Sequence, residues 1–188
     1  MILEKINNET GAIIITGLSA AGKTTLATHL VKKMRTHHYP CFLLDACDMR
    51  KRRVLVSQGH DIASREKRLV QITDLADWIR SQGIIPVVAV IGQPLSIREI
   101  WKQQLTPYLE VYLKCSLDVC VKRDNKKLYQ AALKGEEQSV IGVDIPFEEP
   151  ASPDFVLESE RYSSEALCEQ LWDSLVKIKW FQNTRVPG

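Results

Sequence analysis

The chain has 188 residues, of which 45% are hydrophobic and 26% are charged. This length and balance predict one globular domain with a substantial core. The net charge is only +2, whereas nucleic-acid-binding domains usually concentrate more positive charge, so we expect no nucleic-acid partner. No apolar run approaches the roughly 20 residues that span a bilayer, and residues 1–17 lack a signal-peptide pattern. We therefore expect no membrane contact.

The cysteines predict the redox compartment. They are odd in number and widely spread, and none forms a C-x-x-C pair, so a zinc site is not expected. Reduced core thiols are the simpler interpretation, and they favour the cytoplasm. The five cysteines are Cys41, Cys47, Cys115, Cys120 and Cys168.

The first predicted elements are a strand at residues 12–16, where three isoleucines precede a glycine, and a helix at 23–35. The helix has apolar side chains at helical spacing. A short strand at 41–44 and an amphipathic helix at 66–81 follow, and Gly83 ends that helix.

The second half continues the alternation of strand and helix. Its predicted elements are an apolar strand at 84–92, a helix, a strand at 109–115, a helix from about Leu117, a strand at 154–159 and a helix at 163–179. A continuous apolar strand is typical of a sheet covered on both faces. The pattern predicts an α/β fold with a central parallel β-sheet flanked by helices. Residues 134–153 lack periodicity and are expected to form a long irregular segment.

Residues 17–24, GLSAAGKT, fit the phosphate-loop pattern G-x-x-x-x-G-K-[ST] between a predicted strand and a predicted helix. Two glycines permit a tight turn whose backbone N–H groups face a phosphate. Lys23 would reach the β- and γ-phosphates of a nucleoside triphosphate, by default ATP, and the Thr24 hydroxyl suits Mg²⁺. The predicted ATP-binding residues here are Gly17, Ser19, Ala20, Ala21, Gly22, Lys23, Thr24 and Thr25.

The rest of the chain favours a small-molecule kinase over an ATPase or a GTPase switch. It contains no guanine-reading N-K-x-D segment and is too short for a second mechanical domain. The acceptor of a kinase should bind beyond the carboxyl ends of the strands. Asp45 ends the second predicted strand, and it would lie near Lys23 and Thr24 if that strand neighbours the first.

Asp45 is placed to accept the proton of the acceptor hydroxyl or, with Thr24, to hold Mg²⁺. Asp48 is a second candidate for either role, so the predicted catalytic residues are Lys23, Asp45 and Asp48. The alternative is that each aspartate only caps or flanks the next helix.

Several cations follow these strands. Arg50 opens a basic run whose other members are expected to face solvent. Arg65 and Arg68 begin the next helix, where acids are usually preferred, which suggests an anion nearby. Arg123 and Lys126 fall in a segment, about residues 121–150, that could close over the nucleotide as a lid. A basic exposed helix is the alternative.

Four stretches together resemble the adenylylsulfate kinases, which phosphorylate the ribose 3′-hydroxyl of adenylylsulfate using ATP and Mg²⁺. They are GLSAAGKTT, LLDACDMR, SLDVCVKRDNKKLYQAALKG and IGVDIPFEEP. The likeness runs from about residue 11 to 175. It implies a single P-loop nucleoside-triphosphate-hydrolase-like kinase domain over residues 1–188, with Arg123 near ATP. The implied acceptor-binding positions are Cys47, Arg50, Arg65, Arg68, Ile91, Lys126 and Val140.

The departures from the family pattern cluster at the acceptor. Cys47 replaces an acidic residue, and a thiol with its usual pKa cannot substitute for a carboxylate as proton acceptor. Arg68 replaces an asparagine, and Val140 replaces the aromatic residue that would stack on adenine. Such stacking contributes about 1–3 kcal/mol. The ATP side is retained, so the resemblance implies the same reaction type and favours an altered acceptor.

Several functions therefore stay open. The acceptor is adenylylsulfate or a related nucleotide, and a cytidine diphosphoramidate kinase of capsule decoration is one alternative. An ATP-binding regulatory protein that lost catalysis with Cys47 is another, and an RNA-end kinase is the least favoured. The predicted partner is a small-molecule nucleotide substrate. Related enzymes commonly pair as dimers, so a homodimer is kept as an option.

Overall fold

The computed structural model describes residues 10–55, 59 and 61–183. Its strands are β1 (Ala12–Thr16), β2 (Cys41–Asp45), β3 (Ile85–Ala89), β4 (Tyr108–Lys114) and β5 (Phe155–Glu158). Within the described residues they form one parallel sheet with the order β2-β3-β1-β4-β5. The predicted α/β fold is confirmed. Residues 1–9, which contain part of the segment predicted to carry no signal peptide, lie outside the described residues.

Helices flank this sheet. They are α1 (Lys23–Thr36), α2 (Ala46–Lys51), α3 (Ile62–Ser81), α4 (Ile97–Gln104), α5 (Leu117–Lys122), α6 (Leu128–Leu133) and α7 (Ser164–Lys177), followed by a 3-10 helix at Trp180–Asn183. None of the helices in the described ranges is both long and apolar enough to cross a bilayer.

The sheet separates two hydrophobic cores because alternate side chains of a strand face opposite sides. Ile13 and Ile15 of β1 pack into the core beneath α1 and α7. Ile14 packs into the second core, beneath α3 and α4. Trp101 of α4 is buried there, and its Nε1 donates a hydrogen bond to Thr73 Oγ1 at 3.0 Å. The apolar strands predicted from the sequence are thus covered on both faces.

The position of β2 differs from the arrangement on which the prediction for Asp45 depended. β3 lies between β1 and β2, so the second strand does not neighbour the first. The burial of the strands agrees with this order. All five residues of β3 are buried, whereas Phe42 of β2 is 49% exposed, which suits the edge of the sheet.

Two element boundaries differ from the prediction by three residues or more, and one helix was not predicted separately. β3 ends at Ala89 rather than residue 92, and Gly92 then adopts a φ of 76° as the chain turns from the sheet. α3 begins at Ile62 rather than residue 66, because the Asp61 side chain caps it by accepting a hydrogen bond from Ser64 N at 2.8 Å. A separate helix, α6, interrupts the segment after α5.

Candidate active site

The phosphate loop connects β1 to α1. Gly17 and Gly22 have φ values of 141° and 103°, a region that side-chain-bearing residues rarely adopt. A Cβ atom at Gly17 would also approach Leu113 O to 2.5 Å, so β4 leaves space for glycine alone. The loop delivers the chain into α1 at Lys23. The N-terminus of this helix provides N–H groups and a positive dipole end for an anion.

Lys23 is held in an environment that disfavours its own charge. Burial lowers the pKa of the Lys23 ammonium group to about 8, although Cys47, Cys120 and Asp45 each act to raise it. Its Nζ donates a hydrogen bond to the loop carbonyl Leu18 O at 2.6 Å. A phosphate within reach of Nζ would pair with the ammonium group and stabilise its charged form.

Thr24 and Asp45 meet although their strands are not neighbours. Thr24 Oγ1 donates a hydrogen bond to Asp45 Oδ2 at 2.5 Å. The other carboxylate oxygen of Asp45 caps α2 by accepting a hydrogen bond from Asp48 N at 2.8 Å. Asp45 therefore caps a helix, as one of the alternatives from the sequence had it, and it also contacts the first turn after the phosphate loop.

The same pair of oxygens fits a divalent cation. A hydroxyl and a carboxylate oxygen in contact are ligands that Mg²⁺ accepts, and Mg²⁺ usually keeps substrate phosphates and water as its other ligands. Within the described residues no group of three or more histidine, cysteine or acidic side chains forms a metal cluster. A Mg²⁺ ion held by this pair would take its remaining ligands from phosphate and water.

A cavity of about 530 Å³ joins the phosphate loop to the predicted acceptor residues. Asp45 lies in its wall, and both predicted groups contribute side chains to it. From the predicted sites the lining residues are Ser19, Ala20, Gly22, Lys23, Thr24, Thr25, Cys47, Arg50, Arg65, Arg68, Ile91, Arg123, Lys126 and Val140.

Three predicted residues lie outside this lining. Gly17 and Ala21 face the protein interior, and Ala21 is fully buried. Asp48 faces a neighbouring pocket, and its carboxylate forms an exposed ion pair with Arg52 at 2.7 Å. Of the two candidate aspartates, only Asp45 borders the main cavity.

Arginines from α2 and α3 form one side of the cavity. Burial, followed by the charges of Arg68 and Arg50, lowers the pKa of Arg65, and Asp61 partly offsets this effect. Burial and the charge of Arg50 lower the pKa of Arg68 in the same way. Arg65 also donates to Ser139 O at 2.5 Å, and Arg68 to Gly59 O. An anion in the cavity would relieve the repulsion among these guanidinium groups.

The remaining wall near the arginines is aliphatic. Val140, which occupies the position where the resemblance expects an aromatic residue, is 1% exposed and lines the cavity. Leu69, Ile72 and Ile141 line it as well. In the described part of the chain no phenylalanine, tyrosine or tryptophan contributes to this lining.

Two contacts tie the first half of the predicted lid to the rest of the protein. Arg123 ends α5, and its Nη2 donates to Ser159 O at 2.8 Å, just beyond β5. Tyr129 of α6 is fully buried, and its hydroxyl donates to Ser19 O of the phosphate loop at 3.1 Å. The lid and the phosphate loop therefore share a direct contact.

Two groups of residues escaped the sequence prediction. Gln93 and Asp124 line the cavity, and Asp124 also accepts a hydrogen bond from Tyr129 N at 2.6 Å. Arg98 and Glu110 form a buried ion pair beneath the site. The available signal was Glu110, a carboxylate between Leu109 and Val111 in the interior of β4.

A phosphate loop at a strand-to-helix junction, an aspartate beside its Thr24 and one cation-rich cavity define a P-loop kinase. The chain belongs to the adenylylsulfate kinase family, because the sequence model described as "Adenylylsulphate kinase" matches residues 9–158. The predicted kinase class is confirmed, and the protein is an ATP-dependent phosphotransferase.

Curated relatives and a solved structure agree with this assignment. The adenylyl-sulfate kinase of Bacillus pumilus is 33% identical over 172 residues, covering 90% of this chain and 87% of that protein. The adenylyl-sulfate kinase of Clostridium acetobutylicum is 30% identical over 178 residues, covering 94% and 88%. The APS kinase of Mycobacterium tuberculosis, solved with AMPPNP and APS, superposes with a TM-score of 0.81 at 25% identity, covering 88% and 97%.

The lowered pKa of Lys23 predicts that ATP binding takes up a proton. Free Lys23 loses its charge as pH rises through about 8, whereas bound phosphates hold it protonated. Affinity should therefore be nearly full at pH 7, about half of that at pH 8, and about tenfold lower at pH 9. Titration calorimetry in buffers of different ionisation enthalpy measures both effects. Lys23→Gln should bind more weakly at every pH and lose the dependence. A wild-type affinity that stays flat over this range would contradict the prediction.

Proposed function

We propose that this protein transfers the γ-phosphoryl group of ATP to a ribose 3′-hydroxyl of an activated nucleotide, and that adenylylsulfate is the first acceptor to consider. The observation that carries the proposal is the shared cavity. Lys23 and Thr24 line one part of it, and Arg50, Arg65 and Arg68 line another. One cavity therefore offers cations to two separate anionic groups, as a kinase acting on a phosphate-bearing acceptor requires.

The donor side follows from the phosphate loop. Loop N–H groups and the start of α1 would hold the triphosphate, while Lys23 stabilises charge on the transferring group. Thr24 would supply an oxygen to a Mg²⁺ ion that neutralises phosphate charge, and Asp45 would reach that ion through a water molecule. Positioning and electrostatic stabilisation provide most of the acceleration in reactions of this type, so rigid placement of these groups matters more than proton transfer.

Asp45 is the carboxylate that we assign to the acceptor hydroxyl. It is 5% exposed and borders the cavity, whereas Asp48 is paired with Arg52 outside it. Cys47 also lines the cavity, but it carries a thiol at the position where the family pattern has a carboxylate. Asp45 would accept or orient the hydroxyl proton while its other oxygen stays bound to α2.

The arginines would recognise the anionic end of the acceptor. Guanidinium groups bind sulfate- or phosphate-like oxygens in pairs, and each charge-assisted hydrogen bond contributes about 1.5–3 kcal/mol. The aliphatic lining around Val140 offers little stacking surface to a purine. For this reason a cytidine diphosphate-based acceptor, such as cytidine diphosphoramidate, is the second candidate.

The lid residues would complete the ATP site. Arg123 and Lys126 line the cavity after β4, where they can cover the nucleotide and exclude water from the transferring group. The contact between Tyr129 and Ser19 would let movement of the lid adjust the phosphate loop directly.

Turnover with an acceptor panel tests the proposal. Purified protein with Mg²⁺ and ATP should release ADP in the presence of adenylylsulfate, and mass spectrometry should find one added phosphoryl group on the nucleotide. Cytidine diphosphate and cytidine diphosphoramidate form the second arm of the panel. Lys23→Ala should remove activity without changing the melting temperature. Tight ATP binding with no turnover of any acceptor would instead support a regulatory ATP-binding protein.

Substitution of Asp45 and of Asp48 should have different effects on kcat. Asp45→Asn keeps the helix cap but loses the basic oxygen, so kcat should fall by about 100-fold or more while ATP affinity changes little. Asp48→Asn is the matched control, and its kcat should stay within threefold because its carboxylate does not line the cavity and pairs with Arg52. Steady-state kinetics and calorimetry measure both quantities. An inactive Asp48→Asn beside a normal Asp45→Asn would move the base assignment to Asp48.

Arg50 and Arg53 offer a second matched pair. Arg50 lines the cavity, whereas Arg53 lies in the same basic run but is exposed and outside the lining. Arg50→Gln should raise the acceptor KM about tenfold or more and leave the ATP KM within twofold. Arg53→Gln should change neither value. Equal effects of the two substitutions would show that general surface charge, rather than a local contact, attracts the acceptor.

A further inference from the structure

A largely buried ion pair, in which the Arg98 side chain is 18% exposed, lies beneath the cavity without lining it. Glu110, in the interior of β4, is 4% exposed. Arg98 of α4 donates from Nη2 to Glu110 Oε1 at 2.5 Å and from Nε to Oε2 at 3.0 Å. Neither residue belongs to the cavity lining, so neither is placed to contact a substrate.

This ion pair is bonded to the start of the phosphate loop. Thr16 Oγ1 donates to Glu110 Oε1 at 2.8 Å. Thr16 is the last residue of β1, immediately before Gly17, and it is completely buried. The carboxylate of Glu110 therefore fixes the point from which the phosphate loop departs.

The ion pair is also hydrogen-bonded to the segment that forms the wall of the proposed acceptor site. Arg98 Nη1 donates to Gly92 O at 2.9 Å, and Gly92 lines the cavity between Ile91 and Gln93. A Cβ atom at Gly92 would lie 2.8 Å from Thr16 Cγ2, so the two segments are in close contact. Gln93 Nε2 extends the connection by donating to Glu148 O at 2.6 Å.

We propose that Arg98 and Glu110 are a positioning pair that fixes the acceptor-side segment Ile91–Gln93 relative to the phosphate loop. A buried ion pair often adds little net stability over apolar side chains, because desolvation offsets its attraction. The hydrogen bonds that join Arg98, Glu110, Thr16 and the Gly92 carbonyl do constrain the distance between the phosphate loop and the segment Ile91–Gln93. In-line transfer is sensitive to displacements near 1 Å, which can cost about 100-fold in rate. This inference rests on the proposed kinase function for its kinetic readout.

Arg98→Lys tests the proposal with the charge retained. Lysine can pair with Glu110, but it cannot at once reach both carboxylate oxygens and Gly92 O with the geometry of guanidinium. We expect kcat to fall at least tenfold at saturating substrates, while the dissociation constant of a nonhydrolysable ATP analogue stays within twofold. Glu110→Gln, which keeps the acceptor oxygen for Thr16, should change kcat in the same direction.

Arg80→Lys is the matched control. Arg80 is also largely buried and also joins a carboxylate, Asp77 at 2.8 Å, to backbone carbonyls, Gln104 O at 2.9 Å and Thr106 O at 3.1 Å. It lies outside the cavity lining. Its replacement should lower the melting temperature by a similar amount and leave kcat unchanged. Equal losses of kcat in the two lysine variants would overturn the positioning role.

Hydrogen exchange supplies a readout that needs no acceptor. With the ATP analogue bound, the amides of Gly17–Gly22 and Ile91–Gln93 should exchange faster in Arg98→Lys than in wild type, and Arg80→Lys should leave both segments unchanged. If no acceptor is turned over but these segments loosen, the proposed function fails and the positioning role stands. Unchanged exchange in both segments would overturn the positioning role even in an active enzyme.

Discussion

The hydrogen bond between Thr24 and Asp45 is the contact on which the site depends. It joins the first turn of α1, just after the phosphate loop, to the carboxyl end of an edge strand that is separated from β1 by β3. Because Asp45 also caps α2, the same carboxylate orients the helix that carries Cys47 and Arg50. The buried carboxylate of Asp45 thus positions the phosphate-loop side and the α2 side of the cavity relative to each other.

Electrostatics then explain why the cavity suits anions. Lys23 has a pKa lowered by burial, and Arg65 and Arg68 have pKa values lowered by burial and by neighbouring cations. Each of these groups gains stabilisation when negative charge enters, so bound anions are favoured by the fold itself. Beneath them, Arg98 and Glu110 neutralise each other, which lets them act on geometry rather than on charge.

Local patterns in the sequence predicted much of this arrangement. The phosphate loop was predictable because its strand, glycines, lysine and threonine are contiguous, and the arginine positions followed from the family resemblance. The strand order was not predictable, because the sequence does not show that β2, with the exposed Phe42, lies at the edge of the sheet. The bond from Thr16 to Glu110 spans 94 positions in the chain, so periodicity carried no sign of it. The anchoring of Arg123 by Ser159 likewise required the placement of β5.

A crystal structure with a nonhydrolysable ATP analogue and adenylylsulfate would show both substrates in the cavity. We predict the γ-phosphate within hydrogen-bond distance of Lys23, the acceptor 3′-hydroxyl beside Asp45, and the sulfate against Arg50, Arg65 and Arg68. A triphosphate that avoids the phosphate loop, or an acceptor whose hydroxyl lies away from Asp45, would contradict this prediction.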